Sequence, residues 1–148
     1  MFEKLLYPTD FSDVSKKALE YIEQLKKFGA KTVVVLHVID ERTAWSAVGA
    51  GDDAGAVGVA DLQAKMEQGA ENEMRVTEAK LKESGFNVKV RIERGIPFRE
   101  ILRVEEEEDV SAVVIGSHGK SMVEEMLLGS VSEQVIRKSK KLLLVVRR

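Results

Sequence analysis

The sequence predicts an α/β fold, an open parallel sheet that is doubly wound with helices on both faces. Five short apolar runs alternate with longer amphipathic stretches, the order expected of strands joined by crossover helices. One of those runs, TVVVLHVI from Thr32 to Ile39, is continuous and β-branched, as suits a strand covered on both faces. Three runs end in residues suited to a ligand crevice: Pro8-Thr9-Asp10, Val38-Ile39-Asp40 and Gly116 to Gly119. In an open parallel sheet, ligands bind just beyond such strand ends.

The elements follow in order. Lys4 to Pro8 is the first strand. Ser12 caps a helix whose apolar positions Val14, Ala18, Ile22, Leu25 and Phe28 recur at three and four, and Gly29 ends it. After the second strand, Thr43 to Ala60 is rich in glycine and alanine and reads as a mobile loop, either a lid or a plain surface insertion. Asp61 to Glu83 is a long helix with Leu62, Met66, Ala70, Met74 and Leu81 along one stripe, closed by Gly85. Phe86 to Ile92 alternates apolar and polar residues, as a strand near a sheet edge would. Pro97 opens a helix with Phe98, Ile101 and Leu102 inward. Its acidic end, Glu105 to Asp109, reads as a solvated face. Val110 to Ile115 is the fourth strand, a helical stretch runs on through Ser139, and Leu142 to Val146 is the fifth strand.

Composition narrows the chemistry. At 148 residues the chain is expected to form one domain, residues 1–148, with no internal repeat. A net charge of −2 gives no basic field to favour nucleic acid or a membrane surface. With no cysteine, disulfides, thiolate metal sites and cysteine nucleophiles are all excluded. His37 and His118 are the only histidines, too few for a multi-histidine metal centre. The start, MFEKLLYPTD, lacks the basic and apolar regions of a signal peptide, and no apolar run is long enough to span a bilayer. The expected location is the cytoplasm.

The segment VVIGSHGKS, Val113 to Ser121, ends like a phosphate-binding P-loop, but that motif needs a glycine five residues before the Gly-Lys pair. Val114 stands there, inside a strand. The glycines instead form a split pattern: Gly116, Gly119, then Gly129-Ser130 at the start of the last helix. A helix start bearing Ser130, Val131 and Ser132 is suited to phosphate, because its first backbone N–H groups have no partner within the helix. Plainer roles stand beside this one. Asp10 could cap a helix, and Ser130 and Ser132 could cap the last helix. His37 fits a satisfied sheet histidine. His118 fits a surface or packing residue, and no catalytic role is assigned to it. Lys120 fits a solvated lysine.

The pattern Gly-x2-Gly-x9-Gly-Ser, with the strand-end Pro-Thr-Asp, resembles the ATP-binding branch of the universal stress protein family. The resemblance extends from KLLYPTDFSD to LLLVVRR. It implies a Rossmann-like five-stranded parallel sheet of order 3-2-1-4-5 that binds ATP or AMP. It also allows a divalent ion, Mg or Mn, held through the phosphates. Carried over residue by residue, Asp10 and the backbone of Val38 would hold the adenine beside Pro8 and Thr9. Ile115 and Gly116 would lie along the ribose, and Gly119, Gly129, Ser130, Val131 and Ser132 would grip the phosphates. The resemblance further implies a homodimer through Leu142 to Val146. A nucleotide-dependent regulatory switch is the expected function. The alternative is a slow ATPase or nucleotidyl-transfer enzyme using the same pocket, but no water-positioning residue or arginine is identifiable near the glycines. A flavin carrier fits poorly with a chain only 5% aromatic.

Overall fold

The computed structural model describes residues 1–43, 55–118 and 128–148. Five parallel strands form one sheet: β1 (Lys4–Pro8), β2 (Thr32–Asp40), β3 (Asn87–Gly95), β4 (Ala112–Gly116) and β5 (Leu142–Val146). Their order is β3-β2-β1-β4-β5, so the connections reverse direction between β1 and β4. β1 pairs with β2 from Lys4↔Thr32 to Pro8↔Leu36 and with β4 through Leu5↔Ala112 and Leu6↔Val113. This is the expected doubly wound fold.

Side chains alternate across the strands and feed two cores. Leu5, Tyr7, Val33, Val35, Ala112 and Val114 pack beneath helices α1 (Asp13–Leu25) and α2 (Gly55–Glu83). Leu6, Val34, Leu36, Val113 and Ile115 pack beneath α3 (Pro97–Glu107) and α4 (Ser130–Lys138). Ser12 caps α1 by accepting from the Ser15 N–H at 3.2 Å. Gly29 ends the following 3₁₀ turn at φ +97°, a left-handed conformation that suits glycine.

Several boundaries differ from expectation. α2 begins at Gly55, so 55–60 is helical although its composition suggests a loop, and residues 41–43 are helical as well. Alanine, the best helix former, supplies six of the ten glycine and alanine residues in Thr43 to Ala60. The rest of that segment, 44–54, lies outside the described residues, as do Trp45 and Lys120. Strands β2 and β3 run on to Asp40 and Gly95, whereas β4 starts at Ala112 rather than Val110. In α1, Val14, Ala18 and Ile22 are buried, but Phe28 is exposed. It sits in the 3₁₀ turn, whose tighter winding rotates it off the apolar stripe. In α3, Val104 joins Ile101 in the core while Leu102 is only half-buried.

The acidic end of α3 is not a solvated face throughout, contrary to expectation. Glu105 is buried and accepts from the Ser139 hydroxyl at 2.6 Å and the Lys140 N–H at 3.2 Å, tying α3 to the turn before β5. Glu108 is also buried. Its carboxylate meets Lys89 Nζ at 2.6 Å and Lys4 Nζ and Arg91 Nη1 at 3.1 Å. A run of like charges looks solvated in one dimension. Here the cations that neutralise it come from β1 and β3.

Hydrogen bonding from Lys89 and Lys4 holds the Glu108 carboxyl down to about 2, below its ordinary 4.5. A depressed carboxyl contributes stability that is complete above the unfolded value and is lost as pH falls toward the folded one. Glu108→Gln should therefore cost about 2 kcal/mol at pH 7, the scale of hydrogen bonds to a charged group. The deficit should shrink as pH falls from 4.5 toward 2. Denaturant unfolding of both proteins across that range checks this, and a deficit independent of pH would contradict it.

Candidate functional site

A cavity of about 660 Å³ opens at the carboxyl edge of the sheet, over the ends of β1, β2 and β4. Its walls include Pro8, Thr9 and Asp10 after β1, and Leu36 to Asp40 of β2. Ile115 and Gly116 line it from β4, and Gly129 to Ser132 from the start of α4. The structure thus brings together Pro8, Thr9, Asp10, Val38, Ile115, Gly116, Gly129, Ser130, Val131 and Ser132 around one space. Gly119 lies outside the described residues. Phe11, Met66, Gly69, Ala70, Glu73, Pro97 and Ile101 also contribute, although none was a candidate. Met66 and Ala70 lie on the apolar stripe of their helix. Where a helix overhangs the sheet edge, that same stripe becomes a cavity wall, and periodicity alone does not reveal the overhang.

The turn after β1 is fixed by a compact set of bonds around Thr9. Its N–H donates to Leu36 O at 2.8 Å, and its carbonyl accepts from His37 Nδ1 at 2.7 Å. Its hydroxyl oxygen accepts from the Phe11 N–H at 3.0 Å and the Ser15 hydroxyl at 2.7 Å. Beneath it, the Tyr7 hydroxyl donates to Ser15 O at 2.6 Å. Burial pushes the Tyr7 phenol up, against the opposing pull of the Ser15 and Thr9 hydroxyls. Asp10 Oδ1 accepts from the Ser12 N–H at 3.0 Å, so Asp10 braces the turn while Ser12 is the helix cap.

The end of β4 is pinched between two helices. A Cβ on Gly116 would stand 3.1 Å from Val14 Cγ1 and 3.3 Å from Ser15 N, so α1 passes too close for any side chain to fit easily. From the other side, the Ser132 hydroxyl donates to Gly116 O at 2.7 Å. Ser132 therefore ties α4 to the strand rather than capping the helix, and the N-cap, Gly129, has no side-chain bond. Gly129 N–H donates to Ser117 O at 2.6 Å, which brings the two ends of the glycine segment together. The first bond of α4 runs from Glu133 N–H to Gly129 O, so the helix gives no partner to the N–H groups of Ser130, Val131 and Ser132.

The histidines are placed differently from each other. His37 is half-buried and stacked on Phe11 with ring centroids 4.5 Å apart, a satisfied sheet histidine in the cavity wall. His118 is buried rather than on the surface, with Nδ1 2.6 Å from Ser117 Oγ. Three carboxylates, Asp10, Asp40 and Glu73, reach the cavity. Asp40 is paired side-on with Arg42 at 3.0 and 2.9 Å, which lowers its pKa. Among the described residues no three metal-ligating side chains come together, and no helix is long and apolar enough to cross a membrane.

A crevice beside the switch point of an open parallel sheet is the ligand position of doubly wound α/β proteins. The chain belongs to the universal stress protein family, whose model matches residues 1–147. Universal stress protein MJ0577 of Methanocaldococcus jannaschii is 40% identical over 156 residues, covering all of this chain and 96% of that protein. Its solved structure superposes with a TM-score of 0.89 at 41% identity, covering 100% of this chain and 97% of the other. The fold also matches a universal stress protein solved in complex with cAMP, at TM-score 0.67 and 22% identity over 99% of this chain and 97% of that one. A universal stress protein from Archaeoglobus fulgidus in complex with dAMP matches at TM-score 0.63 and 18% identity, over 99% and 98%.

Gly116→Ala tests the pinch at the end of β4. Val14 can yield, but the Ser15 backbone cannot without moving α1, so overpacking should cost about 1–3 kcal/mol. Thermal and urea unfolding measure it. A variant as stable as the parent would show that α1 does not press on the strand end.

Proposed function

We propose that this protein binds an adenine nucleotide, ATP or AMP, in the cavity and works as a nucleotide-dependent regulatory switch. The observation that carries this reading is the convergence of the β1 and β2 ends with the first turn of α4 around one space. In the proposed arrangement Asp10 and the Val38 backbone hold the base, beside Pro8 and Thr9. Ile115 and Gly116 flank the ribose, and the N–H groups of Ser130, Val131 and Ser132 receive phosphate together with Gly129 and Gly119. No lysine or arginine is among the described residues of the cavity wall. Phosphate binding would then rest on backbone N–H groups and the helix dipole. Mg or Mn would be held through the phosphates, because the described residues offer no cluster of their own. Among the described residues that wall holds no arginine to stabilise a hydrolytic transition state, a group worth about a thousandfold or more. The reading therefore favours gripping over turnover, in a single cytoplasmic domain.

Gly129 has φ −75° and ψ 157°, which any residue adopts, so a side chain can be added there without backbone strain. Gly129→Val should lower ATP affinity about tenfold or more by calorimetry while leaving the melting temperature near that of the parent. Unchanged affinity would refute the phosphate assignment. Single-turnover hydrolysis should run well below about one per second, and a faster rate would favour the enzyme reading.

We also propose a homodimer across β5. This edge strand leaves Leu142 52% and Leu144 36% exposed, and an uncovered apolar edge invites pairing with a second copy. The opposite edge, β3, carries Lys89, Arg91 and Glu93, charges that discourage such pairing. Leu144→Lys should shift sedimentation to the monomer with the fold intact, and an unchanged dimer would place the interface elsewhere.

A further inference from the structure

We propose that Phe11 and His37 form a clamp that positions the base-recognition end of the cavity, with His37 as a positioning residue for base selectivity. This rests on the nucleotide reading above and goes beyond it, since neither residue belongs to the proposed set of ligand contacts. Phe11 has φ +64°, a left-handed conformation that a bulky side chain seldom keeps unless its surroundings impose it. Among the described residues, Asp109 is the only other non-glycine with positive φ, and it lies far from the cavity at the end of α3. Two groups impose the Phe11 conformation. Its N–H is held by the Thr9 hydroxyl at 3.0 Å, and its ring lies on the His37 imidazole, 4.5 Å between centroids and 27° between planes.

His37 in turn holds Thr9. A carbonyl oxygen can only accept, so the 2.7 Å contact with Thr9 O places a proton on His37 Nδ1. One side chain from β2 therefore grips the turn after β1 twice, by a hydrogen bond to Thr9 and by stacking on Phe11. Between those two gripped residues sits Asp10, and next to His37 sits Val38. The clamp sets the distance and direction between the two groups proposed to hold the base. Loosening it should leave the phosphate end, built on Gly129 to Ser132, as it was.

The test is the ratio of ATP to GTP affinity, measured by calorimetry on the full chain, with thermal melting alongside. The parent should prefer ATP. His37→Ala should reduce that preference about tenfold by lowering ATP affinity, since one partly buried hydrogen bond and a stacking contact are lost. His37→Asn should restore most of the preference, because its amide nitrogen reaches the place of Nδ1. His37→Gln carries its amide one carbon farther and should not. Phe11→Gly, which relieves the left-handed backbone while removing the ring, should also lose preference, GTP affinity staying near that of the parent. An unchanged ratio in His37→Ala and Phe11→Gly, or equal loss of both nucleotides, would overturn the clamp while leaving nucleotide binding intact. A parent that binds both nucleotides equally would overturn it as well. A parent that binds neither would refute the underlying reading, and the clamp would fall with it.

Discussion

The contact on which the rest of this structure depends lies at Gly116, where the end of β4 passes between two helices. On one side a Cβ would meet Val14 and Ser15 of α1, and on the other the Ser132 hydroxyl bonds the Gly116 carbonyl. That single glycine lets α1 lie close over the switch point and fixes the start of α4 directly across from it. Were β4 to end in a larger residue, α1 would be displaced, and with it Ser15, which bonds Thr9 and receives the Tyr7 hydroxyl. The geometry of the cavity at both ends therefore traces to close approach at one backbone position.

From that point the cavity can be understood as two halves with different physical characters. The half over β1 and β2 is rigid and well bonded: Thr9 alone takes part in four hydrogen bonds, and His37 and Phe11 are stacked. The half at α4 is built from backbone donors at a helix start, with Ser132 committed to the strand. A rigid half suits discrimination between flat ring systems, and a half made of N–H groups suits an anion of any identity. The relatives solved with cAMP and dAMP share the fold on which these halves are built.

Much of the fold was legible because each element carried its own punctuation. Ser12, Gly29, Gly85 and Pro97 mark helix ends as their chemistry requires, and the β5 boundaries agree residue for residue. The strand order came from the family resemblance, since alternation of strands and helices does not rank one parallel arrangement over another. The site was legible where it lay on strand ends and glycines. It was not legible at Gly69 or Glu73, whose roles depend on how a helix overhangs the sheet, nor at Phe11, whose ring meets His37 of β2. Nor was the buried status of Glu105 and Glu108, whose partners are far away in sequence. Charge runs and helical stripes describe one chain segment, and burial is a relation between two.

An amide NMR titration with ATP would locate the nucleotide proposed for the carboxyl edge of the sheet. The largest shifts should fall on Thr9, Asp10, Val38, Gly116 and Ser130 to Ser132, with the charged network around Glu108 unmoved. Perturbations centred on that network or on β5, or none at millimolar ATP, would contradict this placement.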